Sequence, residues 1–244
     1  MTVDPLVPLL KTEHLTMRFG GVVANDDVSF TLGEMELRCL IGPNGAGKST
    51  FFKMLTGQLT PTSGTIAFRG QPLTGLQSHE IARLGIGIKT QVPNVFNGLS
   101  VRENIWLSAR RKTTPKFTRP LVDEILEKIR LTHLAGATVG QLSHGQRQWV
   151  EIGTVLAGDP DLILLDEPAA GMTDEETHRT AEIIREINKT RAIVVVEHDM
   201  AFIRMIARTV TVFHQGRIMM EDGIDAVLAD RRVRDVYLGK KVAA

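Results

Sequence analysis

Leu40 to Gly57 reads LIGPNGAGKSTFFKMLTG. An apolar strand pattern enters a glycine-rich turn and leaves through a lysine and two hydroxyls into a helix pattern, with Gly57 as a C-cap. Gly42 to Ser49 fits G-x-x-x-x-G-K-[ST], the phosphate-binding loop. Glycines let the backbone take positive φ and turn its N–H groups inward. Those groups and the helix N-terminus make an anion nest. Gly42, Pro43, Asn44, Gly45, Ala46, Gly47, Lys48, Ser49 and Thr50 are therefore the candidate nucleotide ligands. Lys48 is expected to reach the β- and γ-phosphates, Ser49 to ligate Mg2+, and Thr50 to assist at the α- or β-phosphate.

A phosphate loop alone suits kinases, GTPases and many ATPases. LILLDEP, Leu162 to Pro168, narrows the choice. It is an apolar strand ending in two acids. Asp166 at the strand tip is expected to hold Mg2+ through water, and Glu167 to activate the attacking water.

The remaining chain fits an α/β protein. Strand-like runs occur at HLTMRF, VSFTL, ELRCLI, GTIAFRG, LILLDEP, AIVVVEH, TVTVFHQ and RIMMEDG. LILL and AIVVV are continuous apolar runs, as in a parallel sheet buried on both faces. DEETHRTAEIIREINKT places Ile183, Ile184 and Ile187 on one helical face. Between Leu99 and Gly158 the strand signal vanishes, and three helical patterns replace it. This predicts a helical subdomain, residues 97–159, inserted into one domain spanning 1–244. The basic, proline-marked RRKTTPKFTRP between two of those helices reads as a solvated connector.

The 244 residues carry a formal net charge of +1, so no broad electrostatic case for nucleic acid or membrane binding exists. The single cysteine, Cys39, excludes an internal disulfide framework and reads as a buried thiol. No apolar run reaches the length of a membrane span. The opening MTVDPLVPLL carries Asp4 and no basic stretch, which argues against a signal peptide. A cytosolic location is expected, with any membrane attachment supplied by a partner.

LSHGQRQWVEIGTVLAG, Leu142 to Gly158, decides the class. Ser143 and Gln146 form a capping box, so Ser143 heads a helix whose N-terminus is a second anion site. LSHGQ, just before the two-acid strand, resembles the LSGGQ signature of ABC ATPases. In that family the signature of one subunit caps the γ-phosphate held by the other, with two ATP molecules buried head to tail. The resemblance covers almost the whole chain. It implies a RecA-like parallel sheet with an antiparallel β subdomain and the inserted helices. It implies that Phe19 stacks on adenine, that Gln91 touches Mg2+ or water and faces the membrane partner, and that His198 contacts the γ-phosphate. It assigns Ser143, His144, Gly145 and Gln146 to the partner's nucleotide.

Three residues depart from the usual pattern: His144 for a glycine, Thr173 for a common aspartate, and Trp149 for a common arginine. His144 either faces the incoming phosphate, which would make closure pH-dependent, or points away and fills the glycine's place. The chain has one copy of each motif, no long coiled-coil insertion and no fused membrane domain. This suits a separate ATPase subunit of a bacterial importer on the inner face of the membrane. Its partners would be a second, identical or paralogous ATPase subunit, membrane permease subunits and, indirectly, a periplasmic binding protein. GMTDEET and VYLG resemble the branched-chain amino-acid and amide uptake branch. LSHGQRQW with AGMTDEET most resembles urea-type members. The alternative is a soluble ABC ATPase acting on nucleic acid or ribosomes. The permease groove is expected between the Gln91 loop and the helices, around Val92, Val95 and Phe96.

Overall fold

The computed structural model of the chain describes residues 7–91 and 94–238. Val92 and Gly239, the last residue of VYLG, lie outside them. In chain order the first half holds β1 (Leu10–Phe19), β2 (Val22–Leu32), β3 (Leu37–Ile41), α1 (Lys48–Leu55), β4 (Ser63–Phe68), β5 (Gln71–Pro72), α2 (Ser78–Leu84) and β6 (Ile86–Lys89). Three helices follow: α3 (Val101–Ala109), α4 (Pro115–Lys128) and α5 (His144–Leu156). The chain then returns through β7 (Leu162–Asp166), α6 (Asp174–Asn188), β8 (Ala192–Val196), α7 (Met200–Ile206), β9 (Thr209–His214), β10 (Arg217–Gly223), α8 (Ile224–Ala229) and α9 (Arg231–Leu238).

Two sheets result. One is antiparallel, in the order β2-β1-β4-β5. The other runs β10-β9-β3-β8-β7-β6, parallel from β9 to β6, with β10 antiparallel at the edge. The central strands are buried on both faces, which explains their unbroken apolar runs. Successive side chains point to opposite faces. Cys39, Ile41, Ile163, Leu165, Ile193 and Val195 therefore face the core shared with α3 to α6. Leu40, Leu162, Leu164, Val194 and Val196 face the core shared with the antiparallel sheet and with Phe51 and Phe52 of α1. Cys39 is fully buried, as its place in β3 requires.

The parallel order positions the site. The strands β3, β6, β7 and β8 point the same way, so their carboxyl ends share one edge of the sheet. Ligands of open parallel sheets bind at that edge. It receives the loop from Gly42 to Lys48 after β3, Gln91 after β6, Asp166 at the end of β7, and His198 after β8.

Some elements differ from the sequence expectation. The strand β6 carried no readable signal: IGIK is short and interrupted by a glycine. A Cβ at Gly87 would stand 2.6 Å from Val155 of α5, so the glycine admits a helix packed closely on the sheet. PKFTRP is helical rather than a connector, because it opens α4. Pro115 stands at the first helical position, where its missing N–H costs nothing. Pro120 does forgo one helix bond. Burial of Thr118, Val122, Ile125 and Leu126 along α4 outweighs it. Ile183, Ile184 and Ile187 of α6 are all buried, as their spacing predicts.

Candidate functional site

The turn after β3 is built against its neighbours. Gly42 has φ +149, and a Cβ there would fall 2.2 Å from the Phe213 carbonyl oxygen. Gly47 has φ +102, and a Cβ there would meet the Ala24 carbonyl oxygen at 2.5 Å. The backbone of β2 thus runs directly behind the loop, and Asn25 donates from Nδ2 to the Gly47 carbonyl at 3.3 Å. Gly45, at φ +77, faces open space. Gly47 is the N-cap of α1, and no side chain caps that helix. Its first-turn N–H groups are left for an anion, and no acidic residue stands in that turn to compete.

Asn44 to Thr50 line a cleft of about 370 Å³ together with Phe19, Val22, Val23, Ala24, Glu167 and Val196, while Gly42 and Pro43 lie outside its lining. Phe19, at the end of β1, is 47% exposed. The chemistry fits a nucleotide: an exposed aromatic face, a cradle of backbone N–H groups, one lysine and two hydroxyls. Lys48 folds over the loop, its Nζ donating to the carbonyls of Gly42 at 2.5 Å and Pro43 at 3.1 Å. Burial pulls its pKa down, against the attraction of Glu167 and Asp166.

The acids form a second cluster. Burial is the main cause that raises the pKa of Asp166, and the neighbouring Glu167 adds to it. Glu167 holds φ +46, a left-handed backbone that β-strand ends rarely impose on a glutamate. This turns its carboxylate onto two other predicted residues. Gln91 donates from Nε2 to Glu167 Oε2 at 2.8 Å, and His198 Nδ1 lies 3.5 Å from Glu167 Oε1. Glu167 is thus the hub of the catalytic candidates.

The signature stands apart. None of Ser143, His144, Gly145 and Gln146 lines the cleft. Ser143 caps α5, accepting from the Gln146 N–H, while Gln146 Oε1 accepts from the Ser143 N–H. The His144 ring turns onto its own chain, with Nε2 3.1 Å from the Ala170 carbonyl oxygen and 3.1 Å from Gln148 Nε2. Trp149 is buried and donates from Nε1 to Thr180 at 2.8 Å, so it ties α5 to α6. Thr173 is the N-cap of α6 in a capping box with Glu176.

Several residues at the site carried no readable role. Lys89 is fully buried and donates to the Thr90 and Asp166 carbonyls. Its Nζ lies 4.0 Å from Glu151 of α5, which accepts from the Asn94 N–H at 3.0 Å. Glu197 is buried and accepts from the N–H groups of Ala169, His198 and Asp199. Its burial raises its pKa despite those bonds. Glu151 and Glu197 had one usable signal, a charge set in an apolar run. Lys89 closes a strand that was itself unreadable.

A phosphate loop on a parallel sheet, joined at one edge by two acids, a glutamine and a histidine, defines an ATP-hydrolysing nucleotide-binding cassette. The chain belongs to the ABC transporter family, whose model matches residues 25–170. It is similar to the high-affinity branched-chain amino acid transport ATP-binding protein LivG of Salmonella typhimurium. The two are 34% identical, covering 96% of this chain and 98% of LivG. The fold is similar to that of a nucleotide-free ATP-binding cassette from an ABC transporter. The TM-score is 0.85 at 29% identity, over 96% of this chain and 100% of the other. It is also similar to a dimeric, post-hydrolysis cassette bound to ADP and phosphate. There the TM-score is 0.78 at 25% identity, over 88% of this chain and 98% of the other. The chain is thus an ABC ATPase that binds ATP and hydrolyses it.

Proposed function

We propose that this ATPase drives solute uptake through a separate membrane permease, as one of two cassettes working head to tail. The observation that carries this reading is the division of the site. The phosphate loop, Gln91, Asp166, Glu167 and His198 meet at one strand edge, while the Ser143–Gln146 anion site lies outside the cleft of its own subunit. A second subunit's nucleotide gives that second site its ligand. The dimeric relative supports a pair of cassettes.

In this reading the N–H groups of α1 and the loop seat the phosphates, and Lys48 exchanges its Gly42 and Pro43 carbonyls for phosphate oxygens. Phe19 stacks on the adenine. Glu167 accepts the proton of the attacking water, Gln91 orients that carboxylate, and His198 contacts the terminal phosphate. Mg2+, when bound, offsets phosphate charge. Ser49, Asp166 and Gln91 are its proposed holders, a sparse oxygen set of the kind Mg2+ takes alongside phosphate and water. Residues 97–159 form the inserted helical subdomain of a single domain spanning 1–244.

The permease docks beside the Gln91 loop, where Phe96 is 64% exposed and Val95 is packed against the helical core. Among the described residues no helix is long and apolar enough to cross a membrane. Attachment to the inner face of the membrane therefore comes through the permease, to which a periplasmic binding protein delivers solute. LivG's transport of branched-chain amino acids supports the uptake branch. The LSHGQRQW and AGMTDEET stretches favour urea or short amides within it. A soluble cassette acting on nucleic acid or ribosomes finds no support among these relatives.

The test is co-purification from membranes followed by uptake assays with urea, short amides and branched-chain amino acids. Recovery of a permease and uptake of one of these solutes is expected. A cassette that never leaves the soluble fraction and supports no uptake would refute the proposal.

A further inference from the structure

The anion-binding end of α5 already carries an anion. Ser143 Oγ donates to Glu176 Oε1 at 2.7 Å, across 33 residues of chain. The carboxylate also lies flat on Gly145: a Cβ there would stand 2.5 Å from Glu176 Cδ. The other oxygen, Oε2, accepts from the Thr173 N–H at 3.1 Å and lies 3.4 Å from the Thr173 hydroxyl. Glu176 is therefore shared. One oxygen belongs to the capping box of α6, and the other holds the serine of the signature.

We propose that Glu176 is a built-in competitor for the signature serine, and that its carboxylate sets how readily the subunit closes on a partner's ATP. This rests on the head-to-tail reading above. Ser143 has one hydroxyl proton, and the structure spends it on Glu176. The serine's acceptor side is taken by the Gln146 N–H at 3.2 Å. To donate to a phosphate oxygen, Ser143 must release Glu176. A terminal phosphate arriving beside that carboxylate also meets a like charge at the same helix end. Both effects oppose closure. Thr173 keeps hold of Oε2 when Ser143 leaves, so the carboxylate stays poised on α6 and takes the serine back once the phosphate departs. Glu176 thus links the signature to the loop that begins at Glu167, and favours reopening after hydrolysis.

The experiment is ATP-driven dimerisation of the purified full chain in a Glu167→Gln background, which keeps nucleotide bound. Three proteins are compared by analytical ultracentrifugation: the background, Glu176→Gln, and Ser143→Ala. Glutamine is accepted at this capping-box position, so α6 keeps its cap. The neutral side chain is expected to lower the ATP concentration for half-maximal dimer about five- to tenfold, the size of one like-charge contact at a partly wet surface. That gain should shrink as NaCl is raised, which a purely structural change would not show. Unchanged or weaker closure in Glu176→Gln, with Ser143→Ala weakening closure, overturns the proposal and leaves the head-to-tail reading standing. Closure unaffected by Ser143→Ala overturns both.

Discussion

Lys89→Met tests whether the buried Lys89–Glu151 pair holds the Gln91 loop to the signature helix. Lys89 is fully buried and the Glu151 side chain is 3% exposed. Burial pushes the lysine's pKa down and the glutamate's up, each against the attraction of the other. Removing the ammonium leaves the buried Glu151 carboxyl without its cation. The Thr90 and Asp166 carbonyls, 3.1 and 3.3 Å from Nζ, also lose this donor. Breaking a buried pair costs about 3–5 kcal/mol. Glu151 keeps the Asn94 N–H and its hydrogen bonds from Thr90, which places the expectation near the lower end, at about 3 kcal/mol. For a chain of this size that lowers Tm by roughly 6–12 °C. The double variant Lys89→Met/Glu151→Leu removes both charges but leaves the Asn94 and Thr90 donors and the Thr90 and Asp166 carbonyls unmatched, so it is expected to recover only part of the loss. Thermal and urea unfolding of the three proteins measure this directly. A single variant within about 0.5 kcal/mol of wild type, or a double variant no better than the single, would refute the assigned pairing.

Lys48→Ala should lower ATPase turnover at least about a hundredfold, since the phosphates lose their main cation; full activity in the purified chain would remove the phosphate-loop assignment. Glu167→Gln should keep ATP binding and lose about 10²- to 10⁴-fold in turnover, the range for a general base; hydrolysis at the wild-type rate would exclude Glu167 from that role. Phe96→Asp should abolish permease co-purification without changing ATP affinity, and normal assembly would move the docking surface elsewhere. The Asp230 carboxylate pairs with the Arg232 guanidinium and also accepts the Arg232 backbone N–H, which lowers its pKa from 3.8 to about 2. Its contribution to anchoring α9 is therefore fully present above pH 3.8 and lost as pH falls through about 2. Amide-exchange protection of α9 should weaken over that window and lose this dependence in Asp230→Ala.

His144 shows how far a motif can be followed without its surroundings. Its place as the first residue of α5 was legible, because a Ser-x-x-Gln capping box is a local signal. The direction of its ring was not. The Ala170 carbonyl that receives it belongs to the loop after β7, and only the packing of α5 beside that loop brings the two together. The departures at Thr173 and Trp149 behave alike: one caps α6, and the other joins α5 to α6 through Thr180.

The chain's own letters determined every group that acts through a local turn or a strand end. The glycines and lysine of Gly42–Ser49 need only a strand before them and a helix after them. Asp166 and Glu167 need only the apolar run that delivers them, and Ile183, Ile184 and Ile187 declare the buried face of α6 by period alone. Tertiary structure decided what depends on distant segments meeting. The strand β6 exists because β7 pairs with it and α5 presses on Gly87. PKFTRP became helix because burial along α4 outweighed its second proline. The Gln91–Glu167–His198 cluster, the Lys89–Glu151 pair and the Ser143–Glu176 bond each join residues far apart in sequence. A spacing rule reads neighbours along one element, whereas these contacts follow from the parallel order of the sheet and from how α5 and α6 lie against it.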